Sequence, residues 1–357
     1  MRIIIAGGGT GGHIFPALSI AEAIKSRSTE NEILFVGTKN GLENEIIPDR
    51  GYKMEFINSG GIIGKGIMYK IKAVVSAMGG IISSFKILRA FKPDVVLGVG
   101  GYVSGPTVLT AYLNFIPTAI CEQNTVPGIT NRILSRFSNK IFLNFVDSTR
   151  YFPENKTVLT GNPVRTDFTK SNNSYSRKSG EKTIFIIGGS QGASKLNMVV
   201  PLALTKVAAD ELEIFHQTGK KDVDKVVEIY DKLNLNSNVF SFKNDIVEIY
   251  KKSDLIISRS GAGTISEITA MGKASILIPF PHAAHNHQLF NAKFMENSGA
   301  SVIIEDGILN ESNLSNEIND ILYTEKLNKM SDASSKLAKP DAANQIVEEL
   351  YSLMGRK

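Results

Sequence analysis

Two stretches half a chain apart read alike: Arg2-Ile3-Ile4-Ile5-Ala6-Gly7-Gly8-Gly9-Thr10-Gly11 and Thr183-Ile184-Phe185-Ile186-Ile187-Gly188-Gly189-Ser190-Gln191-Gly192. Each is an apolar run of strand length that breaks into glycines. After the first, Phe15, Leu18, Ile20, Ala21 and Ile24 recur at helical spacing. A strand that is apolar at nearly every position is buried on both faces, which predicts a parallel sheet covered by helices. Further apolar segments predict strands at 32–37, 93–98 and 117–121, then at 213–216, 239–242, 255–258 and 274–278. The Ser- and Asn-rich stretch 170–182 between the two series reads as a loop or linker. The 357 residues accommodate about two domains at roughly 100–200 residues each. Two Rossmann-like α/β domains facing a cleft are therefore expected, with one large doubly wound sheet as the alternative.

Composition narrows the class. Hydrophobic residues make up 42% and charged residues 21%, ordinary globular usage that excludes disorder and collagen-like repeats. A single cysteine, Cys121, allows neither an internal disulfide nor a thiolate metal cage, which fits a reducing cytosol. The apolar run after Arg2 is too short for a secretory signal, and no run of eighteen apolar residues exists to span a bilayer. The net charge of +5 is unevenly placed. Between Glu55 and Asp94 no acidic residue occurs, while Lys65, Lys70, Lys72, Lys86, Arg89 and Lys92 do. The remainder is close to neutral, which argues against a general nucleic-acid binder.

A strand that ends in glycines and opens a helix presents unpaired backbone N–H groups and a positive dipole end, a site for anions such as phosphate. Four segments qualify: 7–12, 98–105, 188–192 and Gly261-Ala262-Gly263-Thr264. The first formally satisfies G-x-G-x-x-G, but a dinucleotide site wants an acidic residue about 20 residues further on, and Val36-Gly37-Thr38-Lys39 offers none. No P-loop pattern occurs either. The C-terminal half holds a better ribose partner in Ser258-Arg259-Ser260-Gly261-Ala262-Gly263-Thr264-Ile265-Ser266-Glu267. Glu267, in the early turns of the helix that these glycines open, can accept hydrogen bonds from both ribose hydroxyls while the helix start faces phosphate. Complementing the helix dipole is its other reading.

These motifs carry a resemblance. Gly8-Gly9-Thr10-Gly11-Gly12-His13-Ile14-Phe15-Pro16-Ala17 resembles the opening signature of the MurG family of peptidoglycan glycosyltransferases. So do Gly100-Gly101-Tyr102-Val103-Ser104-Gly105-Pro106, Glu122-Gln123-Asn124 with Pro127-Gly128, and Gly161-Asn162-Pro163-Val164-Arg165. Gly188-Gly189-Ser190-Gln191-Gly192-Ala193, the run from Ser258 to Glu267, and Asn286-His287-Gln288 with Asn291-Ala292 extend it. The matches are ordered from the N-terminus to about residue 300.

The resemblance implies an inverting transferase of the two-domain GT-B type. Such an enzyme moves N-acetylglucosamine from UDP-N-acetylglucosamine to the 4-hydroxyl of undecaprenyl-pyrophosphoryl-N-acetylmuramoyl-pentapeptide, converting lipid I to lipid II. It implies an acceptor-binding and membrane-docking domain over 1–162 and a UDP-sugar domain over 163–340. A helix over 341–357 would return to the first domain. By the same resemblance Glu267 binds the ribose, Ser190 and the 188–192 backbone face the diphosphate, and Arg165 approaches the nucleotide. The backbone near Ile246 reads the uracil edge. Asn124 and Gln288 hold sugar hydroxyls, His287 lies beside them, and Thr10, Gly11 and Gly12 line the cleft opposite. Where many relatives carry an acidic residue before Asn-His-Gln, this chain has His285. His282, His285 and His287 in one loop, without carboxylate or thiolate support, read as solvated or ligand-facing rather than as a zinc site.

Transfer with inversion needs a base on the acceptor hydroxyl, and His titrates near neutral pH. His13, directly after the first glycine loop, is the candidate, with acceptor positioning as its other reading. No metal is required to stabilise the leaving group, since the helix starts after 188–192 and at 261–264 can do so. Asp222-Val223-Asp224 imitates a metal-binding D-x-D but sits among Lys220, Lys221 and Lys225, as on a solvated helix face. For a membrane lipid acceptor the protein docks on the cytoplasmic face of a bacterial membrane as a peripheral protein. Ile67, Ile71, Val74, Met78, Ile81, Phe85 and Leu88 recur at helical spacing among the basic residues of 65–92, either an interfacial segment attracted to anionic lipid or a core-facing helix. Gly79-Gly80 predicts a division of that helix in two. Tyr112, Leu113 and Phe115 add apolar contact or belong to the core. The competing functions are a transferase onto another lipid, a UDP-N-acetylglucosamine 2-epimerase, and a catalytically silent membrane adaptor.

Overall fold

The computed structural model describes residues 1–57, 67–170, 181–189, 192–207, 212–243 and 245–355, with the side chains of 67–75 and 170 excepted. Ser190, Lys65 and part of the 170–182 linker, all singled out above, lie outside the described residues. The chain forms two compact units, 1–165 with 340–357, and 166–339. The first unit ends after Arg165 rather than after Asn162, so Pro163, Val164 and Arg165 pack with the first sheet.

Unit 1 is built on seven parallel strands: β1 Arg2–Gly7, β2 Glu32–Gly37, β3 Lys53–Phe56, β4 Val95–Gly100, β5 Thr118–Glu122, β6 Lys140–Leu143 and β7 Thr157–Leu159, in the order β3-β2-β1-β4-β5-β6-β7. Unit 2 repeats the scheme with β8 Lys182–Ile187, β9 Leu212–Gln217, β10 Ser237–Phe240, β11 Leu255–Ser258, β12 Ala274–Leu277 and β13 Ser301–Ile303, in the order β10-β9-β8-β11-β12-β13. Central strands β1, β4, β8 and β11 are buried on both faces, as their unbroken apolar runs require. In each sheet the strand order reverses beside the first strand, between β1 and β4 and between β8 and β11. At such a switch point two loops diverge to opposite faces and leave a crevice at the carboxyl ends of the strands. The sequence patterns missed β3, β6, β7 and β13, which are three or four residues long and too short to show a period.

The last helix, Ala342–Leu353, belongs to unit 1 and packs on the helix Gly11–Arg27. Ile346, Val347 and Leu350 enter the core around Ile3, Ile5 and Ile20. Buried Asn31 ties the ends together: its Oδ1 accepts from the N-terminal amine and from the Tyr351 hydroxyl, each at 3.0 Å, while its Nδ2 donates to Ile24 O at 2.7 Å.

The helix Ile67–Phe91 is continuous through Gly79-Gly80, against the expected division. Two helical glycines cost about 1 kcal/mol each relative to alanine. Gly80 is buried, the helix packs on the helix Ser104–Leu113, and the Ser84 and Thr107 hydroxyls lie 3.3 Å apart across that contact. The helix is also divided by face: Leu88 is core, whereas Met78, Ile82 and Phe85 are exposed, as are Tyr112, Leu113 and Phe115.

The two units have separate cores, so their stabilities are separable. Leu350→Ala, which empties a fully buried site in unit 1, should lower the unfolding free energy of that unit by about 3 kcal/mol. Calorimetry should show the unit 1 transition moving down while the unit 2 transition stays in place.

Candidate active site

The glycine loops after β1, β4 and β8 pass so close to their surroundings that a side chain has no room. In unit 1 a Cβ on Gly7 would stand 2.3 Å from Val99 Cγ2, and one on Gly101, at φ +80°, would stand 2.7 Å from Gly8 O. Gly100, at φ +109°, is held open by His13: a Cβ there would lie 2.6 Å from the imidazole Nδ1 and Cε1. The ring of His13 therefore lies flush against the turn after β4, at the start of the helix Gly11–Arg27. Thr10 is the N-cap residue of that helix, and its carbonyl accepts from His13 N at 3.1 Å. Thr10 and Gly12 are exposed, while Gly11 is buried beneath them. Arg165 places its guanidinium 5.4 Å from the ring centroid of Phe15 on the same helix, which gathers Thr10, Gly11, Gly12, His13 and Arg165 at one helix end.

The loop after β1 is fastened by a residue the sequence reading passed over. Glu43 is fully buried, and its Oε2 accepts from Gly9 N at 2.8 Å. Its Oε1 accepts from Thr38 N at 3.0 Å and from Thr38 Oγ1 at 2.9 Å. A Cβ on Gly8 or Gly41 would fall within 2.3 Å of this carboxylate, so both glycines clear room for it. A buried charge is tolerable when its lone pairs are filled by good donors. Glu43 lies 34 residues from Gly9, and no local pattern marks it.

Glu122 has a similar duty after β5. It is 3% exposed and accepts from Asn124 N, Asn124 Nδ2, Gly128 N and Asn131 Nδ2 at 3.0, 3.3, 3.2 and 2.8 Å. Burial pushes its pKa up and these hydrogen bonds oppose the rise. Asn124, expected to hold a sugar hydroxyl, is thus oriented by the carboxylate two residues before it. Gln123 Nε2 donates to Val99 O at 2.9 Å and joins this loop to the end of β4. Ser104 completes the crevice: its hydroxyl accepts from Gly100 N at 3.0 Å and lies 2.8 Å from Ala6 O, so β1 and β4 are joined at their ends.

In unit 2, Gly192, at φ +75°, passes so close to the turn after β9 that a Cβ would stand 2.1 Å from Thr218 O. Gly188 is equally restricted, its Cβ position lying 2.5 Å from Ala193 N. The helix Ser194–Leu204 that follows is held by a polar chain. Asn197 Nδ2 donates to Thr218 O and to Asp222 Oδ2, each at 2.9 Å, and Ser194 Oγ donates to the same Asp222 oxygen at 2.7 Å. With its amine committed, Asn197 presents Oδ1 to His216 Nε2 at 3.1 Å, so Nε2 carries the proton and Nδ1 accepts from the Tyr230 hydroxyl at 3.0 Å. Burial pulls the His216 pKa down to about 3, so the ring is neutral. The Ser194 hydrogen bond leads the causes that lower the pKa of Asp222. Asp222 is therefore a fastening of the helix start rather than the purely solvated residue expected.

The loop after β11 gathers most of the remaining candidates. Gly261 is the N-cap of the helix Ala262–Ala270, whose first turn holds Ala262, Gly263 and Thr264 and whose second holds Glu267. Ser260 Oγ donates to Gln288 O at 2.8 Å, Asn291 Nδ2 donates to Ser260 O at 3.2 Å, and Gln288 Oε1 accepts from Phe280 N at 2.9 Å. The Gln288 amide is thereby turned so that its Nε2 points away from this backbone bond. Arg259, 9% exposed, donates to Ile278 O at 3.1 Å and Pro279 O at 3.2 Å and pairs with Asp306 at 2.6 Å, bracing β11 against the end of β12. Ile246 is buried, its carbonyl accepting from Tyr250 N at 3.0 Å, and the Tyr250 hydroxyl donates to Glu267 Oε2 at 3.1 Å.

His287 turns Nδ1 to Ala284 O at 2.8 Å, and burial lowers its pKa, so it stiffens the loop as a neutral ring. His285 and Asn286 adopt φ of +53° and +54°, left-handed geometry that a non-glycine residue holds at a cost. His282 packs edge-on against Phe280. Among the described residues no three His, Cys, Asp or Glu side chains are placed to hold one ion.

Residues 3–143 match the glycosyltransferase family 28 N-terminal domain, and residues 183–346 match the family 28 C-terminal domain. The chain is 43% identical to a Thermodesulfovibrio yellowstonii protein named UDP-N-acetylglucosamine–N-acetylmuramyl-(pentapeptide) pyrophosphoryl-undecaprenol N-acetylglucosamine transferase, covering 100% of each chain. A protein of the same name from Syntrophus aciditrophicus is 41% identical over 99% of each. Among solved structures, Acinetobacter baumannii MurG superposes with a TM-score of 0.80 at 30% identity, covering 98% of this chain and 99% of that one. A Neisseria meningitidis UDP-GlcNAc 2-epimerase bound to UDP-GlcNAc shares the fold alone, at 16% identity and a TM-score of 0.69 over 99% of this chain and 100% of its own.

The buried histidine gives unit 2 a pH dependence of known sign. In the unfolded chain His216 takes up a proton below about 6.5, while in the folded unit it resists protonation until about 3. The unfolded state therefore binds more protons between these values, and stability is lost as pH falls through that window. The slope contributed by one such proton reaches about 1.4 kcal/mol per pH unit. Urea midpoints of unit 2 taken between pH 7.5 and 5, read as the difference between the parent and His216→Gln, should show this slope in the parent alone.

Proposed function

The chain belongs to glycosyltransferase family 28, and we propose that, like its named relatives, it transfers N-acetylglucosamine from UDP-N-acetylglucosamine to a lipid-linked N-acetylmuramoyl-pentapeptide, making lipid II from lipid I. The observation that carries this reading is the loop after β11. A glycine-capped helix start, a carboxylate one turn further and the Gln288 amide are tied together through Ser260 and Tyr250. That set matches the three chemical parts of a nucleotide sugar: phosphate, ribose and hexose.

Unit 2 holds the donor. The N–H groups at 261–264 serve the diphosphate, to which the family resemblance also assigns Ser190, Glu267 takes the ribose hydroxyls, and the backbone at Ile246 reads the base. Gln288 and Asn124 bind sugar hydroxyls, His287 shapes the loop that carries Gln288, and Arg165 serves the nucleotide. Unit 1 holds the acceptor around Thr10, Gly11 and Gly12. His13 removes the proton of the acceptor 4-hydroxyl as that oxygen bonds to the anomeric carbon. The bond from this carbon to the diphosphate breaks on the opposite face, and UDP leaves with the electron pair. Helix N-termini aimed at the diphosphate stabilise the charge that develops there. Because Asp222 is engaged by Ser194 and Asn197, the Asp222-Val223-Asp224 pair is not offered to a diphosphate-bound cation, and we assign no metal to the reaction.

The acceptor's membrane tail requires a docking surface. No helix among the described residues is long and apolar enough to cross a membrane. Met78, Ile82 and Phe85 on the helix Ile67–Phe91, beside exposed Lys86 and Arg89, present the mixture of apolar and cationic groups that an anionic bilayer surface attracts. Leu113 and Phe115, 61% and 96% exposed, add to it from the helix Ser104–Leu113 and the turn beyond. We assign the protein a peripheral place on the cytoplasmic face of the membrane.

Labelled sugar should pass from UDP-N-acetylglucosamine to a short-tailed lipid I analogue, with UDP-glucose a poor substitute and a chelator without effect. His13→Ala should lower kcat at least about 100-fold with little change in donor KM, as removal of a general base does. Equal loss in both parameters would instead make His13 a binding residue. Leu113→Ser with Phe115→Ser should weaken sedimentation with phosphatidylglycerol vesicles about tenfold or more, at roughly 0.8 kcal/mol per buried methylene, while solution activity on the short-tailed analogue stays intact.

A further inference from the structure

Tyr250 is wholly buried in the short helix Val247–Lys252, yet its hydroxyl reaches a carboxylate that is only partly buried. Its ring packs edge-on against Phe168 and against Phe185, each at a centroid distance of 5.3 Å, with interplanar angles of 73° and 86°. Two such contacts leave the ring no alternative rotamer, so the O–H projects from a rigid support. It donates to Glu267 Oε2 at 3.1 Å. The main-chain N–H of Tyr250 donates to Ile246 O, so one helical turn carries both a base-edge residue and the support of the ribose carboxylate.

We infer that Tyr250 is the positioning residue for the donor's ribose and sets the preference for ribo- over 2′-deoxyribonucleotide sugars. The inference rests on the reading of Glu267 as the ribose ligand. A glutamate on an open helix turn has three side-chain torsions and loses roughly 1.5–2 kcal/mol of rotamer freedom when a ligand fixes it. Tyr250 fixes it beforehand, which lowers the cost of binding. It also fills one acceptor position of Oε2 with its own proton. The carboxylate is thereby presented in one orientation to the 2′ and 3′ hydroxyls of a ribose, of which a 2′-deoxyribose supplies only one. A site built around such acceptors rejects the analogue that lacks the hydroxyl.

The test is steady-state kinetics with UDP-N-acetylglucosamine and its 2′-deoxyuridine counterpart on the parent, Tyr250→Phe, Glu267→Ala and the double variant. Phenylalanine keeps the ring and its packing and removes the hydroxyl alone. The loss of a hydrogen bond to a charged group predicts that Tyr250→Phe raises KM for the ribo donor about tenfold. The deoxy donor should change little, so that discrimination narrows by the same factor, and kcat and acceptor KM should hold. In the Glu267→Ala background, Tyr250→Phe should add nothing to the change in discrimination. If Glu267→Ala abolishes discrimination while Tyr250→Phe preserves it, Tyr250 is a packing residue and the ribose assignment stands. An equal loss for both donors, together with a lowered Tm, overturns the inference in the same way. If Glu267→Ala itself preserves discrimination, the ribose assignment fails, and the role of Tyr250 with it.

Discussion

The close approach of two backbone turns at the carboxyl ends of neighbouring central strands is the constraint on which each unit is built. Between β1 and β4, Gly101 has no room for a side chain against Gly8 O, Gly7 none against Val99 and Gly100 none against His13, while in unit 2 Gly192 is confined by the turn after β9 and Gly188 by its own loop. Parallel strands bring their carboxyl ends to one edge of the sheet, and the strand order reverses there, so following helices leave on opposite faces. The result is a crevice floored by main chain and bordered by helix N-termini, where N–H groups and helix dipoles can meet an anion. Larger residues at these positions would separate the strand ends and move His13 away from the turn after β4.

Acidic and basic side chains in both units fasten these turns. Glu43 holds the loop after β1, Glu122 the loop after β5, Asp222 the start of the helix after β8, and Arg259 the end of β12. Loops cost conformational entropy when ordered, and a carboxylate or guanidinium with several directed hydrogen bonds opposes that cost more strongly than apolar contact can. Such groups resemble catalytic acids and bases in a bare sequence, being polar residues near glycine-rich motifs. Their filled hydrogen-bonding positions show the difference. His216 is the extreme case, a histidine deep in unit 2 whose two ring nitrogens are both committed, which keeps it neutral and outside the chemistry.

The residues proposed to recognise the nucleotide sugar are joined to one another in space. Ser260 links the glycine-capped helix to Gln288, and Tyr250 links Ile246 to Glu267. A displacement of any one of them is therefore felt by the others. His285 and Asn286 hold left-handed geometry in the loop after β12 that leads to Gln288, and strain of this kind is commonly held at ligand sites by a surrounding structure that over-determines it.

Much was legible in the chain alone. Apolar runs ending in glycines predicted the central strands, the helix starts and the duplicated α/β plan, because strand burial and the steric demands of a tight turn act on neighbouring residues. Gly261 through Thr264 and Glu267 could be found the same way, since a helix start and a carboxylate one turn later are a local pattern. Tertiary structure alone decided the rest. Glu43 and Gly9 meet across 34 residues and Tyr250 and Glu267 across 17, and no local period records such a pairing. Gly79-Gly80 stayed helical within a helix packed on the helix Ser104–Leu113, and Asp222 is tied to the helix start because Ser194 and Asn197 came within reach. Propensity and periodicity describe what a segment can do by itself, whereas a buried polar contact exists only once two distant segments have been packed together.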